Sequence, residues 1–321
     1  MGKSIIGIDL GGTNLRIGAV EENNEVVSFC KIKSDRIARS ADPMKELTAI
    51  IKEYIEENHI TEVQAVSIGV PSSVANDKKT VICTTNIQNT KGEPVFINRN
   101  MAEEIESFLH VPVYVNNDTN NILLYDVMTN RLNQDSVIIG IYIGTGVGAA
   151  VLMNGQMLDG KDGAALDLGH IPFYNGDIPC SCGKRGCCEC YASGWRLQEI
   201  RREYFPDTKI KELFLKHGEE KPLREFIRSC AHVFAVMATI FNPEVMVGGG
   251  GVMEMPGFPR AEFEREVNEA TGKDVMQYGF RYVYSEDVES KGVVGAALFA
   301  RRKMKITIPG AVHHAAGHPR Q

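Results

Sequence analysis

The chain has 321 residues, 43% hydrophobic and 24% charged, an ordinary composition for a globular protein and enough length for two domains. A formal net charge of −6 and a pI near 5.8 argue against a nucleic-acid binder, which normally presents a basic face. No apolar run approaches the roughly 20 residues needed to cross a bilayer, and no apolar leader follows Met1, so a cytoplasmic protein without a membrane partner is expected.

In chain order, S-I-I-G-I-D-L (4–10) predicts a strand that ends beside a carboxylate, Asp9. Gly11-Gly12-Thr13-Asn14 turns the chain into a second strand, L-R-I-G-A-V. Such a turn exposes successive backbone N–H groups that can wrap a phosphate, and Asp9 could hold Mg²⁺ through water; the alternative is a plain hairpin turn. Asp42-Pro43 starts a helix whose Met44, Leu47, Ile51, Tyr54 and Ile55 share one face. A buried-type strand at 63–70 ends at Pro71, hairpins or loops fill 72–98, and a helix near 99–109 leads to a strand at 111–115. Asn116-Asn117-Asp118 then falls where a strand ends and a helix begins, which makes Asp118 either a helix cap or a functional carboxylate.

Ile139-Gly-Ile-Tyr-Ile-Gly144-Thr145-Gly146 repeats the pattern of Ile6-Gly-Ile-Asp-Leu-Gly11-Gly12-Thr13, and a returning strand follows. The wide spacing of this repeat predicts duplicated domains, with one Gly-Thr hairpin from each half gripping a polyphosphate. Next comes a loop with His170, Cys180, Cys182, Cys187 and Cys188, turned by Gly183 and Gly186 and bracketed by Asp167 and Glu189. Three thiolates and one imidazole make a closed tetrahedral set, as a structural Zn²⁺ requires; the other reading is a run of free, redox-active cysteines. Eight cysteines used this way suit a reducing compartment rather than a disulfide framework. Ser193 caps a predicted helix to about 204, and a longer helix at 222–241 puts Leu223, Phe226, Ile227, Cys230, Val233, Phe234 and Met237 in the core. A strand at 243–247 runs into Gly248-Gly249-Gly250-Gly251, where a sugar or base could approach the backbone unless the glycines merely form a loose loop. A last strand at 281–284 and a small-residue helix at 292–300, suited to packing across a domain junction, complete the fold. The tail from 306, with His313 and His314, is read as frayed rather than as a metal site.

Together, D-x-G-G-T-N (9–14), N-N-D (116–118), I-G-T-G-V-G (143–148), G-H (169–170) with C-x-C-G-x-x-G-C-x-E (180–189), and G-G-G-G-V (248–252) resemble the ROK family of sugar kinases. The resemblance runs to about residue 304. It implies an α/β, two-domain, actin-like (ribonuclease-H-like) ATPase fold with a central cleft. One lobe would hold 1–117 with about 292–321, and the other 118–291. It implies ATP-dependent phosphorylation of a hexose at its 6-hydroxyl, with Mg²⁺, a structural Zn²⁺ and a homodimer. Asp118 would be the general base, and Asn117, Asp167, His170 and Glu189 would bind the sugar. His170, Cys180, Cys182 and Cys187 would bind the metal. Asp9, Gly11, Gly12, Thr13, Gly144, Thr145, Gly146, Gly249 and Gly250 would bind the nucleotide and its metal. Asp167 departs from the family's usual Glu. The segments at 69–81 and 249–260 look most similar to D-allose kinase, with N-acetylmannosamine and glucose as alternative substrates. A ROK-type repressor would need a DNA-binding domain ahead of Asp9, and a non-catalytic sugar sensor would lack a group such as Asp118.

Overall fold

The computed structural model describes residues 3–84, 86–173 and 176–306, so the His313-His314 tail lies outside the described residues. The chain forms two compact units: Met1–Asn133 with Asp159–Ala165 and the segment from Val288, and Gln134–Leu158 with Leu166–Asp287. Among the described residues no helix is long and apolar enough to cross a membrane.

In the first unit, β1 (Ser4–Leu10), β2 (Asn14–Val20), β3 (Val26–Lys33), β4 (Val63–Val70) and β7 (Val113–Asn117) form one sheet in the order β3-β2-β1-β4-β7. Strands β5 (Thr80–Cys83) and β6 (Ile97–Asn100) pair separately, within the stretch expected to hold hairpins or loops. β1 runs antiparallel to β2 and parallel to β4, which in turn runs parallel to β7. Central strands covered on both faces need nearly continuous apolar residues, which is why Ile5 and Ala65 are fully buried as well as Ile6, Ile8, Val66 and Ile68 on the opposite face. The Pro43–Glu57 helix starts as expected, Asp42 accepting from Lys45 N at 3.1 Å.

The second unit repeats this plan with β8 (Val137–Ile143), β9 (Val147–Met153), β10 (Gln156–Met157), β11 (Val245–Gly249) and β12 (Arg281–Tyr284), in the order β10-β9-β8-β11-β12. Here too the hairpin is antiparallel and the two strands beyond it are parallel. This is the duplication expected of an actin-like fold. The Lys221–Phe241 helix buries the expected core residues, and the Phe234 and Phe263 rings meet edge to face with centroids 4.8 Å apart.

Two expectations need correction. The Asp118–Thr129 helix was assigned to the second lobe, yet it belongs to the first unit, where it packs on the Lys291–Lys303 helix. That small-residue helix, expected at a domain junction, lies on β1, β2 and β4 within the first unit. Its approach is close enough that a Cβ on Gly7 would overlap the backbone of Val293. Strand β3 and the Arg260–Ala270 helix were not foreseen.

Candidate active site

In the first unit the β1–β2 turn is closed by Gly11 N donating to Asn14 O at 3.0 Å. Gly12 and Thr13 lie exposed at its tip. Ser34, which the sequence did not single out, fixes the turn from behind: its N donates to Thr13 O at 3.1 Å and its Oγ to Gly11 O at 2.6 Å. Asp9 ends β1 directly opposite Arg16 in the register, and Arg16 Nη1 lies 3.0 Å from Asp9 Oδ2. Burial raises the Asp9 carboxyl above its ordinary pKa despite the Arg16 charge, which acts in the opposite direction. Gly292, in the first turn of the Lys291–Lys303 helix, abuts this carboxylate, since a Cβ there would lie 2.8 Å from Asp9 Cγ.

Parallel strands β4 and β7 bring Asn117 and Asp118 to the same sheet. Asn117, not Asp118, caps the following helix: its Oδ1 accepts from Thr119 N at 2.9 Å and Asn120 N at 3.2 Å. Its Nδ2 donates to Ser72 O at 3.2 Å, which leaves one amide hydrogen for a ligand. Asp118 is the first helical residue, and its Oδ1 accepts from Thr119 N at 2.7 Å. Burial, and then the negative charge of Asp9, push the Asp118 carboxyl up to about 7. A carboxyl raised towards neutral pH where a strand meets a helix, within reach of the Asp9 charge, suits a general base. Behind it, Asn116 Nδ2 donates to Asn121 Oδ1 at 2.8 Å. Asn121 Nδ2 is buried without a hydrogen-bond partner and lies against Gly69.

In the second unit Gly144 N donates to Gly146 O at 3.0 Å, closing the β8–β9 turn. Two remote segments stitch onto this turn. Gly194 N donates to Gly144 O at 2.8 Å, and Trp195 N to Thr145 O at 3.1 Å. Gly250, at φ +89°, lies so close to Ile143 that a Cβ would fall 2.7 Å from its backbone atoms. Gly249 closes β11 beside Tyr142 and Ser285. The four-glycine run is thus a fitted turn against the hairpin rather than a loose loop.

Glu189 meets the same hairpin, its Oε2 lying 2.8 Å from where a Cβ on Gly146 would stand. Its Oε1 is 3.6 Å from His170 Nδ1 and accepts from Cys180 Sγ at 3.3 Å. The ligand atoms of His170, Cys180, Cys182 and Cys187 lie within 4.8 Å of one another. Cys182 Sγ is 3.6 Å from Cys187 Sγ, and Cys180 Sγ is 3.5 Å from His170 Nδ1. A tetrahedron built on ordinary Zn–S and Zn–N bonds has edges of about 3.8 and 3.6 Å, so the donor set fits that ion. Cys188 takes no part: it is fully buried, and its Sγ donates to Leu168 O at 2.9 Å. Asp167 is the outlying member, with a side chain 71% exposed and 4.0 Å from His170 Nε2. It follows Leu166, whose φ of +68° is rare for a bulky residue.

The geometry therefore gathers Asp9, Gly11, Gly12, Thr13, Asn117 and Asp118 on the first sheet. The second unit gathers Gly144, Thr145, Gly146, Gly249, Gly250, His170 and Glu189, with Asp167 at the edge. A glucokinase of Thermotoga maritima is 26% identical over 322 residues, covering 94% of this chain and 98% of its own length. An N-acetyl-D-glucosamine kinase of Pectobacterium atrosepticum is 28% identical over 265 residues, covering 77% and 83%. The crystal structure of a ROK family glucokinase from Streptomyces griseus with glucose and AMPPNP superposes with a TM-score of 0.76, at 23% identity, covering 93% of this chain and 99% of that one. The sequence profile of the ROK family matches residues 5–303, and on that match, with both glycine hairpins and the Cys₃His loop in place, the chain belongs to the ROK family.

Proposed function

We propose that this chain is an ATP-dependent sugar kinase that phosphorylates the 6-hydroxyl of a hexose. The observation that carries the reading is Asp118, a carboxyl pushed up to about 7 where β7 runs into a helix, close enough to Asp9 of β1 to feel its charge. Phosphoryl transfer asks a protein mainly for positioning and charge neutralisation. The N–H groups at 11–13 and 144–146 are suited to phosphate oxygens, with Gly249 and Gly250 beside the nucleoside. Asp9 would hold Mg²⁺ through water, and the bound ion would neutralise developing phosphate charge. Asp118 would take the proton as the sugar oxygen attacks in line. Asn117, Asp167, His170 and Glu189 would orient the sugar hydroxyls. His170, Cys180, Cys182 and Cys187 would hold a structural Zn²⁺, which keeps the loop ordered; the distances among their ligand atoms support this.

For the sugar itself, the likeness of 69–81 and 249–260 to D-allose kinase favours D-allose, whose axial 3-hydroxyl could use the room left by Asp167 in place of Glu. A second reading, an N-acetylhexosamine such as N-acetylglucosamine or N-acetylmannosamine, is favoured by the relatives named N-acetyl-D-glucosamine kinase. A coupled ADP assay over D-allose, glucose and both N-acetylhexosamines tests the reading. Sugar-dependent ADP release is expected, with allose ahead of glucose by at least about tenfold in kcat/KM, because a wrong epimer leaves buried polar groups unpaired. No sugar-dependent release from any of the four would sink the kinase reading, and turnover of an N-acetylhexosamine alone would replace allose with the second reading.

A further inference from the structure

Residues Asp159–Ala165 return to the first unit, where an ion pair holds them, buried at Lys78 and a quarter exposed at Asp159. Lys78 is 5% exposed, and its Nζ lies 2.6 Å from Asp159 Oδ1. Its φ of +56° places a long side chain in the left-handed region. Asn120, in the first turn of the Asp118 helix, is 7% exposed and donates from Nδ2 to the same Asp159 oxygen at 3.4 Å. The Lys78 carbonyl accepts from Val115 N at 2.9 Å, on the strand that runs into Asn117. The strap is held at other points as well: Asn76 Nδ2 donates to Gly160 O at 3.3 Å and to Lys161 O at 2.5 Å.

A buried ion pair rarely stabilises a fold better than apolar groups of the same size would, and a left-handed lysine backbone is strained. Features of this kind persist where the surroundings fix them from several sides. What Lys78 and Asp159 supply is geometry, since they tie three separate segments to one point: the 74–81 turn, the strap, and the first turn of the helix that begins at Asp118. We propose that Lys78 and Asp159 are positioning residues, their largely buried ion pair clasping the strap to the first unit and fixing, through Asn120, the helical turn that carries Asp118. Neither touches the reacting atoms. The consequence for turnover rests on the kinase reading; the clasp itself does not.

The test uses the full chain. Lys78→Met deprives the partly buried Asp159 of its cation and should simply lower Tm. Lys78→Met with Asp159→Leu substitutes apolar groups for both charges and should bring Tm back close to wild type. In that double variant Asn120 loses Asp159 and keeps only Asn116 Oδ1, 3.4 Å from its Nδ2. We expect kcat at least about tenfold below wild type with the ATP KM within about twofold. Amide exchange should be faster at 118–121 and 159–165, and unchanged in the Pro43–Glu57 helix. Lys78→Met with Asp159→Asn keeps an acceptor oxygen for Asn120 and should recover most of kcat. Wild-type exchange at 118–121 in the leucine double variant overturns the clasp, and so does equal kcat in the two double variants. A wild-type protein silent on every sugar removes the kinase reading, while exchange at 118–121 still decides the clasp by itself.

Discussion

The two sheets share one strand order, yet their hairpins are set up for different chemistry. Pairing the repeats places Asp9 of β1 opposite Tyr142 of β8, and Gly11 opposite Gly144. In the first unit the parallel neighbour β7 ends in Asn117 and runs straight into the helix that begins at Asp118. In the second unit the corresponding strand, β12, ends at Tyr284, and a glycine turn follows β11 instead. One frame therefore holds a buried carboxyl near a second one, and burial first, then the Asp9 charge, raises the Asp118 pKa, while the other frame buries a tyrosine and presents backbone. A duplicated frame supplies two glycine turns; on the proposed reading, the residue at the strand end decides which of them would serve proton chemistry.

Breaking the chemical half should have the largest effect. Asp118→Asn should cost on the order of 10²–10⁴ in kcat with the fold and ATP binding retained. A variant keeping a third of wild-type turnover would return Asp118 to a purely structural role. Asp9→Asn comes next, and because it removes the carboxylate proposed to hold Mg²⁺ it should cost on the order of 10²-fold and raise the Mg²⁺ concentration for half-maximal rate; unchanged Mg²⁺ dependence would count against Asp9 as the metal's anchor.

The second unit is probed through its metal loop. Cys182→Ser should lower Tm and raise the sugar KM by roughly tenfold or more, because the ordered loop carries His170 and Glu189. Elemental analysis of wild-type protein should find close to one zinc per chain, and its absence would refute the Cys₃His assignment, whereas Cys188→Ser should leave metal content unchanged.

The smallest effect is on stability, and it has a definite pH signature. Burial raises the folded pKa of Asp118 to about 7, so the folded state binds its proton more tightly than the unfolded chain does. The stability this proton contributes is fully present below the unfolded carboxylate pKa and is lost as pH rises through about 7. Asp118→Asn, neutral at every pH, should therefore gain on wild type between about pH 4 and pH 7 and then hold a constant Tm advantage. A pH-independent difference in Tm would show that the Asp118 carboxyl titrates normally.

Much of this was readable along the chain. The two glycine hairpins, the Asp42 cap and the buried face of Lys221–Phe241 follow from local spacing, which the backbone obeys without reference to distant residues. Strand β3 was not readable because Ser28, at φ +54°, and a register shift between Ile17 and Ala19 interrupt its alternation. The Arg260–Ala270 helix opens after Pro259 without a side-chain cap, so it lacked the usual start signal.

By itself the sequence determined the repeat, the ligand types in the metal loop and the carboxylate at the start of a helix, since each is a matter of residue identity and spacing. Only the tertiary structure decided the rest. Cys187 and Cys188 are adjacent and chemically identical, yet one faces the cluster and the other the core, because the Leu168 carbonyl and the core packing lie on one side only. Asn117 caps the helix because Asp118 is already helical, and the proton affinity of Asp118 is set by burial and by Asp9, more than a hundred residues upstream. Lys78, Asp159 and Asn120 carry no motif. Their roles arise from contacts between segments far apart in the chain, which spacing along the sequence does not encode.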